Sequence, residues 1–294
     1  MKKDTVLFIK RGMAFCLIFL ASLALIGSLF NYIVFHYSFA FEKANAFEKF
    51  ASKNKHIDYL FMGDSHAQDA ISPSVINNDS FNLAVSGLNY RENYYALKSV
   101  IEKKIKVNYV VLEVDDTMLD NPGVFEKEIF FVRNYISFKD LVGLKPAAIL
   151  NYYFGFLGRG TFFGLAVTKG KPMDEFGFSV NNATIGEDDS LQVTTEETGD
   201  TTYAVPEYLS KIIELCRENN QKIIFIKYPL LPEDQKHPIY DKFIEGYLEN
   251  ETLLDYRHVF DDNRSFFQNL NHLNFEGANI LSAQIGADLK KLGK

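Results

Sequence analysis

Cysteine is scarce in this chain of 294 residues, which contains only Cys16 and Cys216. Because Cys16 lies in an apolar stretch near the amino terminus, the pair excludes a disulfide framework and a four-ligand zinc site. Beyond the first eleven residues the chain also lacks a face rich in lysine and arginine, and its formal net charge is −7. Nucleic-acid binding depends on clustered cations that contact phosphates, so the sequence argues against a nucleic-acid partner.

The remaining composition is that of a folded protein. Hydrophobic residues make up 47% of the chain and charged residues 23%. These fractions disfavour overall disorder, and the length is sufficient for a substantial core. No repeat recurs at a fixed spacing, which leaves one main domain with an insertion as the best interpretation.

Residues 12–35 form a strongly apolar, uncharged run preceded by four basic residues, Lys2, Lys3, Lys10 and Arg11. As a helix this run would span about 36 Å, which exceeds a bilayer core of ~30 Å. It is also longer than the apolar part of a signal peptide, about 7–15 residues. The pattern predicts a signal anchor, with a cytoplasmic amino terminus and the main domain outside the membrane. We expect a tip and anchor at 1–41, a linker at 42–56 and a domain at 57–294.

The rest of the chain alternates between β and α patterns. Strands are predicted at 58–62, 80–85, 107–114 and 222–228, and helices at 42–55, 90–104, 206–219, 239–248 and 274–291. This alternation favours parallel pairing and a three-layer α/β/α domain. Residues 117–202 interrupt it and are expected to form an insertion, aromatic at 128–167 and acidic at 174–200. The aromatic half suits a lid, a membrane-facing surface, a partner surface or a small extra core.

One stretch suggests chemistry: Phe-Met-Gly-Asp-Ser-His-Ala-Gln at 61–68, directly after the first predicted strand. Gly63 permits a sharp turn that would present Ser65 at the carboxyl edge of the sheet, where catalytic groups collect. A nucleophilic serine needs a base. His272 precedes the last predicted helix, so it is expected at the same edge. The structural alternative is a polar turn that ends a strand.

Three motifs at these strand ends resemble the SGNH (GDSL-type) family of esterases and acyltransferases. They are Gly63-Asp64-Ser65-His66, Ser86-Gly87-Leu88-Asn89 and Asn269-Leu270-Asn271-His272-Leu273-Asn274. The resemblance covers about 58–114 and 206–291. It implies a flavodoxin-like fold, Ser65 as nucleophile, His272 as base, and an oxyanion hole formed by the amides of Ser65 and Gly87. No metal or other cofactor is implied.

Two positions depart from the family pattern. The third family motif supplies an asparagine to the oxyanion hole, whereas here the third strand ends Glu113-Val114-Asp115-Asp116-Thr117. A carboxylate there would repel an oxyanion unless it were protonated. The triad aspartate is replaced by Asn269, so either Asn269 only orients His272, or Asp261 or Asp262 supplies the charge. A slow Ser-His dyad or a loss of catalysis would also fit this replacement.

The resemblance implies an anchored serine esterase or O-acyltransferase acting on acyl esters, such as acetyl esters, of cell-surface carbohydrate. Related anchored proteins act with membrane-bound O-acyltransferases, which makes such an enzyme an expected partner. The alternative is an inactive SGNH scaffold that binds polysaccharide or assists such an acyltransferase. A metallophosphoesterase is a further enzymatic reading, because Asp64-Ser65-His66 matches an Asp-x-His metal motif. The remaining motifs of that family do not occur in the sequence.

Overall fold

A computed structural model describes residues 3–36, 39–54, 56–115, 118–119, 135–137, 139–140, 172–186, 205–234 and 238–293. Most of the predicted insertion at 117–202 therefore lies outside the described residues, including all of its aromatic half except 135–137 and 139–140. The segment predicted as a lid, a membrane-facing surface, a partner surface or an extra core lies almost wholly outside these residues.

The sheet has five parallel strands in the order β2-β1-β3-β4-β5. They are β1 (His56–Met62), β2 (Phe81–Asn82), β3 (Lys106–Glu113), β4 (Lys222–Lys227) and β5 (Thr252–Asp255). The predicted α/β class with a parallel sheet is confirmed. β2 has only two residues where six were expected, and β5 was not predicted, because its four residues are too short a run to show a period.

Eight helices flank the strands in the described part of the chain. They are α1 (Lys3–His36), α2 (Phe39–Lys53), α3 (Ser65–Ala70), α4 (Pro73–Ile76), α5 (Tyr90–Glu102), α6 (Glu207–Glu218), α7 (Pro238–Tyr247) and α8 (Phe275–Leu292). The five predicted helices correspond to α2, α5, α6, α7 and α8 within a few residues. α3 and α4 were not predicted because each is shorter than two turns.

The sheet separates two apolar clusters, and alternate β1 side chains enter each of them. Leu60 and Met62 pack with residues of α5, α6 and α7, whereas Tyr59 and Phe61 pack with residues of α4 and α8. The alternation follows from the two-residue period of a strand. With both faces covered, the strands are apolar almost throughout, as expected for a parallel sheet.

Helix α1 is long and apolar enough to cross a membrane over Asp4–Leu29, a stretch of 26 residues. Its large side chains are exposed, among them Phe15 and Ile18. A helix with apolar side chains exposed on this scale is typical of a segment that lies in lipid. α1 contains the whole predicted span of 12–35, and Asp4–Leu29 covers that span as far as residue 29.

Helix α2 packs on the domain. Phe47 and Phe50 belong to the apolar cluster that contains β1 side chains, and both rings lie 5.2 Å from that of Phe81 in β2. Residues predicted as a linker thus contribute to the core of the sheet domain.

Candidate active site

Ser65 begins α3 immediately after β1, at the carboxyl edge of the sheet, and its side chain is half-buried. Asp64 caps the helix, because its Oδ1 accepts a hydrogen bond of 2.9 Å from the His66 amide. Gly63 is required by close approach, since a Cβ there would overlap Glu113 Oε2 and lie 2.8 Å from Ala67 Cβ. The turn predicted before Ser65 therefore exists, and it is closed by a residue of the neighbouring strand.

Glu113, the last residue of β3, is buried beneath this turn. Its Oε2 accepts hydrogen bonds from the amides of Asp64 at 2.8 Å and Ala67 at 3.3 Å. Its Oε1 lies 3.1 Å from His66 Nδ1. Glu113 thus holds the backbone on both sides of Ser65. Ser65 and Glu113 follow β1 and end β3, the two neighbouring strands between which the strand order reverses. Ligands of doubly wound sheets bind at this point.

His272 lies beside this turn, although 206 positions separate it in sequence from His66, the neighbour of Ser65. The rings of His66 and His272 are 5.0 Å apart between centroids, at an interplanar angle of 44°. The fold therefore brings the first and last motifs together at one edge of the sheet.

Asn269 occupies the place beside His272 that a triad aspartate would take. Its Oδ1 lies 3.0 Å from His272 Nδ1 and accepts hydrogen bonds from the backbone amides of His272 at 2.9 Å and Asn271 at 3.2 Å. Two backbone donors require an oxygen at this point, so the oxygen of the amide faces the imidazole. Nδ1 must then carry the proton, so in the neutral imidazole Nε2 is the nitrogen with the basic lone pair.

The two carboxylates considered as substitutes for the triad aspartate precede a short 3-10 helix, Arg264–Phe266, whereas Asn269 and His272 follow it. Asp261 Oδ2 is 3.0 Å from Nδ1 of His258, an exposed histidine. Asp262 is exposed. The residue that the structure brings to Nδ1 of His272 is Asn269.

Gly87 follows β2 in an exposed turn with a positive φ of 79°, a conformation that favours glycine. Among the described residues, no acceptor takes a hydrogen bond from its N–H. The adjacent Ser86 amide donates to Gln68 Oε1 at 2.9 Å, which fixes this turn against α3.

Buried polar side chains connect all three motifs. Gln68 Nε2 donates to Asp69 Oδ1 at 3.1 Å, and Gln268 Nε2 donates to Asp69 Oδ2 at 2.7 Å. Together with the bond from Ser86 to Gln68, this chain crosses from the second motif through α3 to the last loop. Asn82 adds a further tie, since its Nδ2 donates to the carbonyl of Ala67 in α3 at 2.9 Å.

Sequence reasoning did not assign roles to Glu113, Asp69 or Asn82. A charged residue at the end of an otherwise apolar strand was a visible signal for Glu113, because a buried carboxylate requires partners. Asp69 and Asn82 had no such signal, since their partners come from distant positions in the chain.

Within the described part of the chain, Asp64, His66 and Glu113 form a group that could hold a metal ion. Each offers a ligand atom, and these atoms lie within 4.8 Å of one another. In the structure the same atoms bond to each other and to backbone amides, so an ion would have to displace the bond between His66 and Glu113. The cluster is satisfied as a hydrogen-bonded unit.

The protonation of this cluster follows from its burial. Burial raises the pKa of Glu113 to about 8, and the charge of Asp64 acts in the same direction. Burial acts to lower the pKa of His66, but the charge of Asp64 and the hydrogen bond to Glu113 raise it well above its usual value. An ion pair alone would lower the pKa of Glu113, so burial beside Asp64 outweighs the attraction to His66. Burial and the charge of Asp64 therefore favour the protonated form of the Glu113 carboxyl.

We expect the Glu113 proton to make stability depend on pH. The pKa of the carboxyl is about 8 in the folded protein against 4.5 ordinarily, so between these values the folded state binds a proton that the unfolded state lacks. This contribution is complete below pH 4.5 and is lost as pH rises to about 8. Glu113→Gln should flatten the decline of the thermal midpoint between about pH 5 and pH 8.

The matched control is Glu276→Gln, which changes an exposed carboxyl. It should keep the pH dependence of the wild-type protein. A Glu113→Gln protein with an unchanged decline would show that Glu113 is ionised in the folded state throughout this range.

A cleft of about 970 Å³ lies elsewhere, between α2 and residues 173–176. Its lining includes Asn54, just before β1, and Asp79, just before β2. These residues belong to the amino edge of the sheet, opposite the edge that carries Ser65. The cleft is therefore separate from the candidate active site.

No protein-family model and no curated protein matches this sequence. Assignment to the SGNH family therefore stays a prediction that depends on the three motifs and on the geometry of their residues.

Proposed function

We propose that this protein is a membrane-anchored serine esterase or O-acyltransferase of the SGNH type. It acts on acyl esters, such as acetyl esters, of cell-surface carbohydrate. The observation that carries the proposal is the contact of the His272 ring with His66, next to Ser65, while the Asn269 oxygen faces His272 Nδ1. The strand order 2-1-3-4-5 adds support, because it is that of flavodoxin-like sheets.

The reaction proceeds through an acyl-enzyme. His272 Nε2 accepts the proton of Ser65 Oγ as this oxygen attacks the ester carbonyl. The oxyanion is stabilised by the amides of Ser65 and Gly87. Collapse of the tetrahedral intermediate expels the alcohol, which takes the proton from His272. Water then releases the acid, or a sugar hydroxyl takes the acyl group.

Glu113 is compatible with this scheme, although it ends the third strand, near the place where the SGNH family supplies an asparagine to the oxyanion hole. As a protonated carboxyl it carries no charge that would oppose an oxyanion. Its contacts with the amides of Asp64 and Ala67 hold the turn around Ser65. We therefore assign Glu113 as a positioning residue.

The apolar helix α1 supports a location at the membrane. The basic residues before it favour a cytoplasmic amino terminus and an extracytoplasmic domain. A membrane-bound O-acyltransferase is the partner that would supply or receive the acyl group at this location.

The direct test is covalent labelling of the full-length protein in detergent with a fluorophosphonate, which reacts with activated serines. We expect the wild type to be labelled and Ser65→Ala to remain unlabelled. Ser74→Ala, which removes an exposed hydroxyl from the nearby α4, is the matched control and should be labelled like the wild type.

Two outcomes of this test would favour other functions. The absence of labelling in the wild type under all conditions would favour the scaffold that binds polysaccharide, for which the neutral Asn269 is the supporting observation. Labelling or hydrolysis that is lost in EDTA and restored by zinc or manganese would assign Asp64, His66 and Glu113 to a metal.

A further inference from the structure

The first residue of α2 lies at the carboxyl edge of the sheet. Phe39 is buried in an apolar cluster with Val85 and Leu88, which flank Gly87 in the turn after β2. The beginning of α2 is therefore in contact with the second motif of the candidate active site.

From there α2 runs back along β2 toward the amino edge. Lys43 Nζ donates to the carbonyl of Asn82 at 3.1 Å, and the rings of Phe47 and Phe50 contact Phe81. Lys53 and Asn54 at the other end of α2 line the cleft with Asp79, which precedes β2. Residues early in α2 contact the chain after β2, whereas the residues that end α2 lie beside the chain before β2. α2 is therefore antiparallel to β2.

Buried contacts fix α2 in this direction. The ammonium of Lys43 is fully buried and donates to the carbonyls of Asn82 and Gly177. Burial lowers the pKa of this group to about 7, while the charges of Asp174 and Asp69 oppose that change. Removing either carbonyl contact would leave a buried donor without an acceptor, which makes displacement of α2 costly. α2 is thus packed into the sheet domain.

The apolar helix ends close to this point. α1 ends at His36 and α2 begins at Phe39. Three residues reach at most about 11 Å, whatever their conformation. His36, the last residue of the apolar helix, therefore lies within about 11 Å of Phe39, on the side of the domain that carries the turn with Gly87.

We infer that α2 holds the carboxyl edge of the sheet, and with it Ser65, against the outer surface of the bilayer. The acyl ester that reaches Ser65 is accordingly presented at the membrane surface rather than taken from bulk solution. The orientation depends on the anchor alone, whereas the statement about the ester rests on the proposed function.

The orientation is tested in full-length protein reconstituted into phosphatidylcholine vesicles, with Cys16 replaced by alanine and one new cysteine carrying a fluorophore. Ser86→Cys reports the carboxyl edge, and Lys106→Cys, at the first residue of β3, reports the amino edge; both positions are exposed. A spin label on the lipid headgroup is the quencher. The edges are separated by the length of β3, about 23 Å, so we expect at least threefold stronger quenching at Ser86→Cys. Equal quenching, or stronger quenching at Lys106→Cys, would overturn the inference.

A second variant tests whether α2 sets the orientation. Insertion of ten glycine and serine residues between His36 and Phe39 leaves α2 on the domain but frees the domain from the anchor. We expect the difference between the two labels to disappear, and hydrolysis of a vesicle-embedded acyl ester to fall, while hydrolysis of a water-soluble acetyl ester is unchanged. Retention of the difference and of both activities would contradict a role for α2.

These measurements separate the two proposals. If Ser65→Ala keeps its ester hydrolysis while the Ser86→Cys label is preferentially quenched, the nucleophile is wrong and the orientation stands. If Ser65→Ala is inactive but the two labels are quenched equally, the function stands and the orientation is wrong.

Discussion

Replacement of Ser65 or His272 by alanine is expected to reduce hydrolysis of an activated acetyl ester by about 10³-fold or more, with KM changed much less than kcat. Each group works only with the other, because the serine is a weak nucleophile until a base takes its proton. The double variant should therefore be no slower than either single variant. Steady-state kinetics of the three full-length proteins in detergent measures this directly.

The protein contains a suitable control for the histidine. His258 is exposed and lies beside a carboxylate, Asp261, but it belongs to a different loop from His272. His258→Ala should retain wild-type kinetics. A larger loss in His258→Ala than in His272→Ala would assign the base to the pair formed by His258 and Asp261.

Asn269→Asp is expected to increase kcat by about 10-fold to 100-fold. The asparagine oxygen already holds the proton of His272 on Nδ1, so the tautomer is correct and only the negative charge is lacking. In a serine protease, replacing the triad aspartate by asparagine lowers kcat by about 10⁴-fold, in part because the histidine then has the wrong tautomer. The gain here should therefore be smaller than that factor. The new carboxylate would also stabilise the imidazolium, so the acidic limb of the kcat–pH profile should move to higher pH.

Asn269→Ala is the matched variant for this prediction. It removes the acceptor for the amides of Asn271 and His272 and lets the imidazole turn, so kcat should fall while the unfolding temperature changes modestly. An Asn269→Asp protein that is no faster than the wild type would show that charge at His272 Nδ1 does not limit the reaction. A wild-type kcat in Asp261→Ala and in Asp262→Ala would show that neither carboxylate supplies the charge.

Much of the fold was predictable because the strands of a parallel sheet are apolar on both faces. β1, β3 and β4 are recognisable as short apolar runs, and the intervening helices have turns or polar residues at their ends. β5 and the short helices α3 and α4 were missed because four to six residues do not complete a distinguishable period. β2 is shorter than its predicted run because, after the Leu83 amide donates to the Phe61 carbonyl, the chain turns away toward Gly87.

The candidate site was predictable only for residues whose place next to a strand or a helix can be read from the sequence. Ser65 comes directly after β1, and His272 comes shortly before the last helix, so topology placed both at the same edge. The role of Glu113 was not predictable, because it depends on burial and on contacts with Asp64 and Ala67 that local sequence does not reveal. The orientation of the Asn269 amide likewise depends on two backbone donors that only the folded loop supplies.

The sequence by itself determined the parallel α/β class, the apolar amino-terminal helix and the serine at the end of the first strand. These features depend on local periodicity, on the length of an apolar run and on the order of strands. All three are properties of the linear sequence. The tertiary structure alone decided that Glu113 closes the turn around Ser65, that Asn269 faces His272, and that α2 begins at the edge that carries Ser65. Each of these is a contact between distant parts of the chain, set by packing and by the burial of polar groups.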